Sequence, residues 1–584
     1  MPRTRRRTIV AMLPAELVGL IARTAMFAHL DEAQQASLAR QLRWLCLPGG
    51  QSLFRPGEPA DALYLLCSGS LGVFDGPTRL LHQVAAGECV GEMSLLSGGP
   101  HRHAVRALRD SELLRLDRPA FEALIERHPG AMLAVARLAV ERLLGRRQLG
   151  ETPGKPRTFA LLPVDATVPA RALAERLAQA LRPYGRCVLV DEAAAAGHDS
   201  GWFAEREAEA RFTIYLDERG DPVWRRRCLR QADVLLLPAH AAEPARPWPE
   251  ATPGHPSRAQ HRPRHLILLH PGAAVLPGAA RRWRAQFSGE LRHHHVCGDE
   301  DVARVARLAS GHGRGLVLAG GGARGLAHLG ALKALREAGR HYDAVGGTSI
   351  GAIIGAGVAL QWDTDTLLRT CREAFVHGHP VSDWTLPLVA LTRGRRASAM
   401  LRRVFGATDI EDLPRPFFCV STDLTREARR VHRRGPLWLW LRASSAIPGL
   451  LPPVLHHGDV YVDGALMDNL PTDVMADDGL AHITAVSIRA DSRLRTRLDA
   501  SATPPWWRLL LQRRDGHGWP GLVSTLTRAA MVNSEETSER CRALADLLVT
   551  PPLEHIGILD WQDFDRAVEA GYRETVKVLE AQRG

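Results

Sequence analysis

Two short stretches carry residues whose types and spacing could do chemistry. The first is Gly347-Thr348-Ser349-Ile350-Gly351, which follows Asp343-Ala344-Val345-Gly346. Gly-x-Ser-x-Gly after a strand is the pattern of a nucleophile elbow. A sharp strand-to-helix turn lifts the serine hydroxyl out of the sheet, and the flanking glycines remove side chains that would clash. Ser349 would then stand at a helix N-terminus, where the dipole and open N–H groups favour developing negative charge. The second stretch is Gly320-Gly321-Gly322-Ala323-Arg324-Gly325, directly after Gly315-Leu316-Val317-Leu318-Ala319. Its backbone N–H groups could serve as oxyanion donors. The same loop matches Gly-x-Gly-x-x-Gly through Gly320, Gly322 and Gly325, which suggests a dinucleotide site. That fingerprint wants an acid about 20 residues on, near the end of the second strand. Asp343 has the distance but opens its strand instead of closing it.

The elements that must position these loops are legible around them. Between the loops runs Leu326 to Ala338, with Leu329, Leu332 and Leu335 at helical spacing and Gly339 placed as a stop. The expected order is strand, glycine loop, helix, strand, serine turn, helix.

The 584 residues suffice for several domains, and 45% hydrophobic with 24% charged residues is the balance of a soluble globular chain. The net charge of +11 is nearly all arginine, with lysine only at Lys155, Lys333 and Lys577. These charges are spread along the chain, so no nucleic-acid footprint is indicated. A peripheral membrane surface with anionic lipid is compatible with the excess; a solvated arginine-rich surface is the plainer account. Nine scattered cysteines without Cys-x-x-Cys indicate a reducing, cytoplasmic compartment. No run of 18 uncharged apolar residues exists, so no transmembrane helix is expected.

The N-terminal stretch 1–23 carries Arg3, Arg5, Arg6 and Arg7, then Leu13, Leu17, Leu20 and Ile21 on one helical face. An amphipathic helix is expected there. From 24 to 150, short alternating apolar stretches punctuated by glycine suggest an antiparallel barrel, followed by a helical pattern from Pro119 to Leu144. Val90-Gly91-Glu92-Met93-Ser94-Leu95-Leu96 and Pro100-His101-Arg102-His103-Ala104-Val105 resemble the phosphate-binding cassette of cyclic-nucleotide-binding domains. That resemblance implies Glu92 on the ribose and an arginine directly after the proline on the phosphate. Here His101 takes the arginine position, Arg102 comes one place late, and Ala104 replaces the hydroxyl residue. An arginine fork suits phosphate far better than a neutral imidazole, so cyclic nucleotide is a doubtful partner.

Gly150 to Pro156 has the composition of a linker. From 157 to 300, apolar runs alternate with Ala- and Arg-rich helical segments, an α/β pattern with no phosphate loop. His293, His294 and His295 beside Cys297 do not make a metal site, because neighbours in an extended segment face opposite ways. Farther on come the small-residue turn region Ala443-Ser444-Ser445-Ala446-Ile447-Pro448-Gly449 and the strand Gly458 to Ala465, which closes on Asp463-Gly464. The remainder, 491–584, has a mostly helical pattern, with Trp506, Trp507 and Trp519 offering either core packing or an interfacial role.

The glycine loop ending in Arg324-Gly325, the Gly-Thr-Ser-Ile-Gly elbow and Asp463-Gly464-Ala465, in this order, resemble patatin-like phospholipases over roughly Gly313 to Val474. Ala443 to Val454, Asp468-Asn469-Leu470-Pro471 and the barrel ahead of the hydrolase resemble the bacterial neuropathy-target-esterase branch of that family. The resemblance implies a multidomain chain: a cyclic-nucleotide-binding-like β-barrel with helices, a middle α/β domain and a three-layer α/β/α hydrolase at 313–490. It implies hydrolysis of phospholipid or lysophospholipid acyl esters by a Ser349–Asp463 dyad, without metal or cofactor. It puts Gly320, Gly321, Gly322 and Arg324 at the oxyanion loop. Two alternatives stay open: a regulatory, ligand-sensing protein with an inert hydrolase domain, and an α/β-hydrolase triad completed by His482.

Overall fold

The computed structural model describes residues 31–128, 156–248, 263–488 and 539–582, less a few positions such as 77, 78, 85 and 199, together with isolated ones such as Ile21, Thr24 and Phe27. Most of the expected N-terminal helix, nearly all of the linker, the end of the helix expected to reach Leu144, and Trp506, Trp507 and Trp519 lie outside the described residues. The chain forms two compact units, Met1–Leu269 with Trp283–Ser310, and His270–Arg282 with Gly311–Gly584.

The first unit opens with the barrel. Its two four-stranded sheets follow the orders Arg43–Leu47, Ser111–Asp117, Ala62–Ser68, Cys89–Val90 and Ser52–Phe54, Ala104–Ala107, Leu71–Asp75, Arg79–Val84. Every pairing is antiparallel. Leu47, Phe54, Leu66, Leu71 and Leu113 pack together as one core. A short helix, Glu92–Ser97, starts from Gly91 in left-handed conformation (φ 97°), where a Cβ would stand 2.8 Å from the Ala62 carbonyl oxygen.

The same unit continues into a six-stranded sheet in the order Cys187–Asp191, Phe212–Leu216, Thr158–Leu161, Val234–His240, Arg264–Leu269, Arg292–Val296. All pairs are parallel. Runs such as Phe212–Leu216 are wholly buried, which is why they are continuously apolar and do not alternate. The first strand in the chain sits third in the sheet. The loop after it, Leu162 to Pro169, holds neither glycine nor lysine, and Pro169 at the cap of helix Ala170–Leu181 has no N–H to offer. A phosphate cradle cannot form there. His265 Nδ1 and His294 Nε2 lie 2.8 Å apart in a stacked, fully buried pair. Burial pushes both imidazoles well below their usual range, so they are neutral packing groups. Arg109 of the barrel ion-pairs Glu207 and Asp233 of the α/β part at 2.9 and 3.2 Å.

The second unit is built on one sheet in the order Val454–His456, Asp459–Asp463, Phe417–Asp423, Ala344–Thr348, Arg314–Leu318, His482–Val486, Leu547–Val549; Ala428–His432 pairs with Phe417–Asp423 off this path. The last five of the path are parallel, and the strand carrying Asp463 runs antiparallel. The sheet therefore takes a strand from beyond the boundary of 490 that the sequence suggested. The long helix Phe564–Ala581 comes from the same stretch and lies on helix Ala327–Glu337. Backbone meets backbone at that contact. A Cβ on Gly330 would stand 1.8 Å from the Val568 carbonyl oxygen, and one on Gly571 would stand 1.9 Å from that of Ala327. Among the described residues, no helix is long and apolar enough to cross a membrane.

These two glycines are the testable point of the packing. Gly571→Val cannot be accommodated by a side-chain rotation, because it strikes backbone. It should lower the unfolding free energy by ~2 kcal/mol or more, despite the better helix propensity of valine. Denaturant melts of the two proteins, read by circular dichroism, measure this; unchanged stability would show that the helices part freely.

Candidate active site

Ser349 stands between strand Ala344–Thr348 and helix Ile350–Ala359, with φ 55° and ψ −125°. A side-chain-bearing residue holds such a conformation only where its surroundings impose it. The surroundings here are the neighbouring strand. A Cβ on Gly347 would lie 2.7 Å from the Leu318 carbonyl oxygen, and one on Gly351 would lie 2.3 Å from it. Glycine on both sides lets the turn press onto strand Arg314–Leu318.

The Ser349 hydroxyl donates to Asp463 Oδ2 at 2.8 Å. The other carboxylate oxygen, Oδ1, accepts the amide of Ala465 at 2.9 Å. Asp463 ends an antiparallel strand whose register sets it opposite Ser421. Its own amide donates to the Ala446 carbonyl at 3.0 Å, and its carbonyl accepts from the Thr422 hydroxyl at 3.0 Å. Both Ser349 and Asp463 are buried. Burial raises the Asp463 carboxyl to about 7, against the opposing hydrogen bonds from Ala465 and Ser349. A carboxylate with that affinity for protons is a competent base near neutral pH.

Among the described residues, no histidine joins this pair. His482 pairs with Arg314, at the ends of parallel strands opposite to the one where Leu318 meets Val486 and the glycine loop begins. Four residues of strand, about 13 Å, separate it from the serine's end of the sheet. His328 is buried and bonded to the Ala319 carbonyl at 2.8 Å, and His432 to the Ser421 hydroxyl at 2.6 Å. Among the described residues, no histidine bonds Ser349 or Asp463.

The glycine loop lies against the serine, since a Cβ on Gly320 would be 3.1 Å from that of Ser349. The amide of Gly320 donates to the Asn469 carbonyl (3.3 Å), and that of Ala323 to the Ile558 carbonyl (2.9 Å). The amides of Gly321 and Gly322 between them are the loop's candidates for an oxyanion. Arg324 sends its Nε to the Ile556 carbonyl at 2.6 Å. It thus fastens the loop to the 556–558 segment. The dinucleotide alternative fails on Asp343, whose carboxylate accepts the Arg314 amide at 3.0 Å, at the strand end away from the loop.

Several contributors carried no local signal in the sequence. The Ser349 amide donates to the Ser444 hydroxyl at 2.9 Å, which itself donates to the Val420 carbonyl at 2.6 Å. Ser444 had been visible only as part of a small-residue region. A small apolar cavity of about 50 Å³ opens at Ser349 and Gly322, walled by residues such as Ile353, Met400, Leu451, Leu559 and Trp561. Trp561 stacks on Phe375 at 4.8 Å. Two of these walls, Leu559 and Trp561, come from more than 200 positions beyond the serine, by subtraction from 349.

In the barrel, Glu92 is buried in the first turn of its helix. His101 is buried too, stacked on Phe54 with centroids 3.6 Å apart, and burial lowers its pKa, so its ring is neutral. Arg102 is exposed, and Ala104 opens a strand. His101 is thus buried and uncharged, while the charged Arg102 beside it faces solvent.

The chain matches three family profiles in succession: cyclic nucleotide-binding domain over residues 45–128, Neuropathy Target Esterase family P-loop like domain over 155–312, and patatin-like phospholipase over 316–476. It is 32% identical to an NTE family protein of Mycobacterium tuberculosis, over 97% of both chains. It is 28% identical to lysophospholipase NTE1 of Mycosarcoma maydis, over 99% of this chain and 35% of that one. It is 29% identical to human patatin-like phospholipase domain-containing protein 6, over 94% of this chain and 45% of that one.

The raised carboxyl at the centre of the site has a consequence for stability. A carboxyl near 7 in the fold and about 3.9 when unfolded favours the protonated fold. That contribution is complete below pH 4 and is lost as pH rises toward 7, by roughly 4 kcal/mol in all. Asp463→Asn should remove this decline, so its stability relative to the parent should rise from pH 4 to 7 and then level off. Denaturant melts across that range measure it; a constant difference would mean that Asp463 is not a high-pKa group.

Proposed function

The chain belongs to the NTE family, and from that premise we propose that it is a serine hydrolase cleaving acyl esters of phospholipids or lysophospholipids. The observation that carries this reading is the 2.8 Å hydrogen bond from Ser349 Oγ to Asp463 Oδ2 at the mouth of an apolar cavity. The apolar character of those walls suits a phospholipid substrate: an acyl chain would enter along them as they part, with the ester carbonyl at Ser349.

In the first step Ser349 Oγ attacks the carbonyl carbon while its proton passes to Asp463 Oδ2. The Ala465 amide keeps Oδ1 occupied, so Oδ2 is the oxygen that takes the proton. Negative charge developing on the carbonyl oxygen meets the amides of Gly321 and Gly322. Collapse breaks the C–O bond, and the proton held by Asp463 leaves with the alcohol. A water molecule then attacks the acyl-serine, giving its proton to Asp463, and the acid departs as Ser349 recovers its hydrogen. Arg324 acts indirectly here, by holding the glycine loop to the Ile556 carbonyl. The inert-hydrolase alternative is disfavoured by the intact Ser–Asp bond, and the triad by the distance of His482 along its strand.

Ser349→Ala and Asp463→Asn should each lower kcat/KM on a lysophospholipid by about 10³-fold or more, while His482→Ala stays near the parent. An inactive but folded His482 variant, beside a partly active Asp463 variant, would reverse the roles. The barrel, with its buried neutral His101, should bind cyclic AMP and cyclic GMP weakly or not at all. Calorimetry giving tight, stoichiometric binding would contradict this.

A further inference from the structure

We propose that the loop Trp384–Val389 is the membrane-docking element of this hydrolase, seating the mouth of its acyl cavity on an anionic lipid surface. The proposal rests on the hydrolase reading and names the surface from which that site draws its substrate.

Among the described residues, four of the ten exposed large apolar side chains fall within these six positions. Trp384 is 60% exposed, Leu386 79%, Leu388 91% and Val389 71%. Isolated exposed leucines are ordinary, but such a cluster at the tip of one loop is a contact surface. The loop has a fixed shape. Trp384 bridges Thr392, and the Thr385 amide donates to the Leu391 carbonyl at 2.9 Å. The Asp383 carboxylate accepts the amides of Arg395 and Arg396 at 2.7 and 3.2 Å. Apolar side chains held out on a fastened hairpin do not turn inward to hide from water.

The base of the loop belongs to the cavity. Pro380 and Val381, just ahead of it, line the cavity, as do Leu450 and Leu451. The Leu391 amide donates to the Gly449 carbonyl at 2.8 Å, and both the amide and the hydroxyl of Thr392 donate to the Leu450 carbonyl at 3.1 and 2.7 Å. A surface that takes up the loop therefore meets the cavity wall.

Charge selects a lipid leaflet as the occupant. Residues 380–408 hold five arginines and one acid, and that acid, Asp383, is engaged in capping. Helix Arg395–Phe405 buries Ala397, Met400 and Leu401 toward the cavity and leaves Arg395, Arg396, Arg402 and Arg403 exposed. An apolar tip flanked by arginines suits acyl tails below and anionic phosphates at the headgroup level. A protein partner would need an acidic rim around an apolar pocket; a leaflet offers that arrangement everywhere.

The test uses the full chain as Ser349→Ala, so that lipid persists, with vesicles of phosphatidylcholine alone or with one-third phosphatidylglycerol. Sedimentation should show binding to the anionic vesicles. Leu386→Asp/Leu388→Asp/Val389→Asp should reduce the partition coefficient at least tenfold. Leu388→Asp alone, at a side chain too exposed to affect folding, should reduce it at least threefold. With Ser349 restored, both variants should hydrolyse a water-soluble, monomeric short-chain ester within twofold of the parent. Loop-dependent vesicle binding without any ester hydrolysis would uphold the docking role and remove the hydrolase reading. Vesicle binding unchanged by Leu388→Asp, no vesicle binding at all, or loop-dependent self-association in place of it would overturn the docking role.

Discussion

One hydrogen bond, from the Ser349 hydroxyl to the Asp463 carboxylate, sets the terms for the rest of the hydrolase unit. A carboxylate in water is too weak a base for a serine. Burial alters that by making the charged form costly, and it brings Asp463 to about 7. The fold must then bring a buried acid and a strained serine together without letting either relax. It does so with an antiparallel strand on one side, which ends at Asp463, and a parallel strand on the other, which ends at the elbow. Strand Phe417–Asp423 lies between them and holds both.

The elbow and the glycine loop were legible in local sequence because they are constrained by their own neighbours. Gly347 and Gly351 are required by the approach of the Leu318 carbonyl, and such requirements leave a mark at fixed spacing. The parallel core was legible for the same reason, through apolar runs buried on both faces. Asp463 was legible only through its resemblance to a family, since an Asp-Gly turn has no catalytic mark of its own. Leu559 and Trp561 were not legible, and Ser444 was legible only as part of a small-residue region. Their contributions depend on contacts between distant positions, and a serine in a helix or a tryptophan in a short 3-10 turn looks the same with or without a site beside it. The strand of the C-terminal stretch was hidden in the same way. At three residues it is too short to declare itself, and only its place beside His482–Val486 gives it meaning.

The N-terminal unit joins two folds whose loops carry few phosphate-holding residues. The barrel has two antiparallel sheets, and the position after Pro100 holds a neutral histidine stacked on Phe54. The α/β part has a parallel sheet, while the loop after its first strand holds neither glycine nor lysine. Arg109, paired with Glu207 and Asp233, ties these two parts into one body.

The claim that Asp463 activates Ser349 is tested most directly by the rate at which a serine-reactive phosphonate bonds to Ser349, read by intact-protein mass against pH. The account predicts a single adduct, a rate that rises through one ionisation near pH 7, and almost none in Asp463→Asn. A rate flat from pH 5 to 9, or full labelling of the asparagine variant, would contradict it.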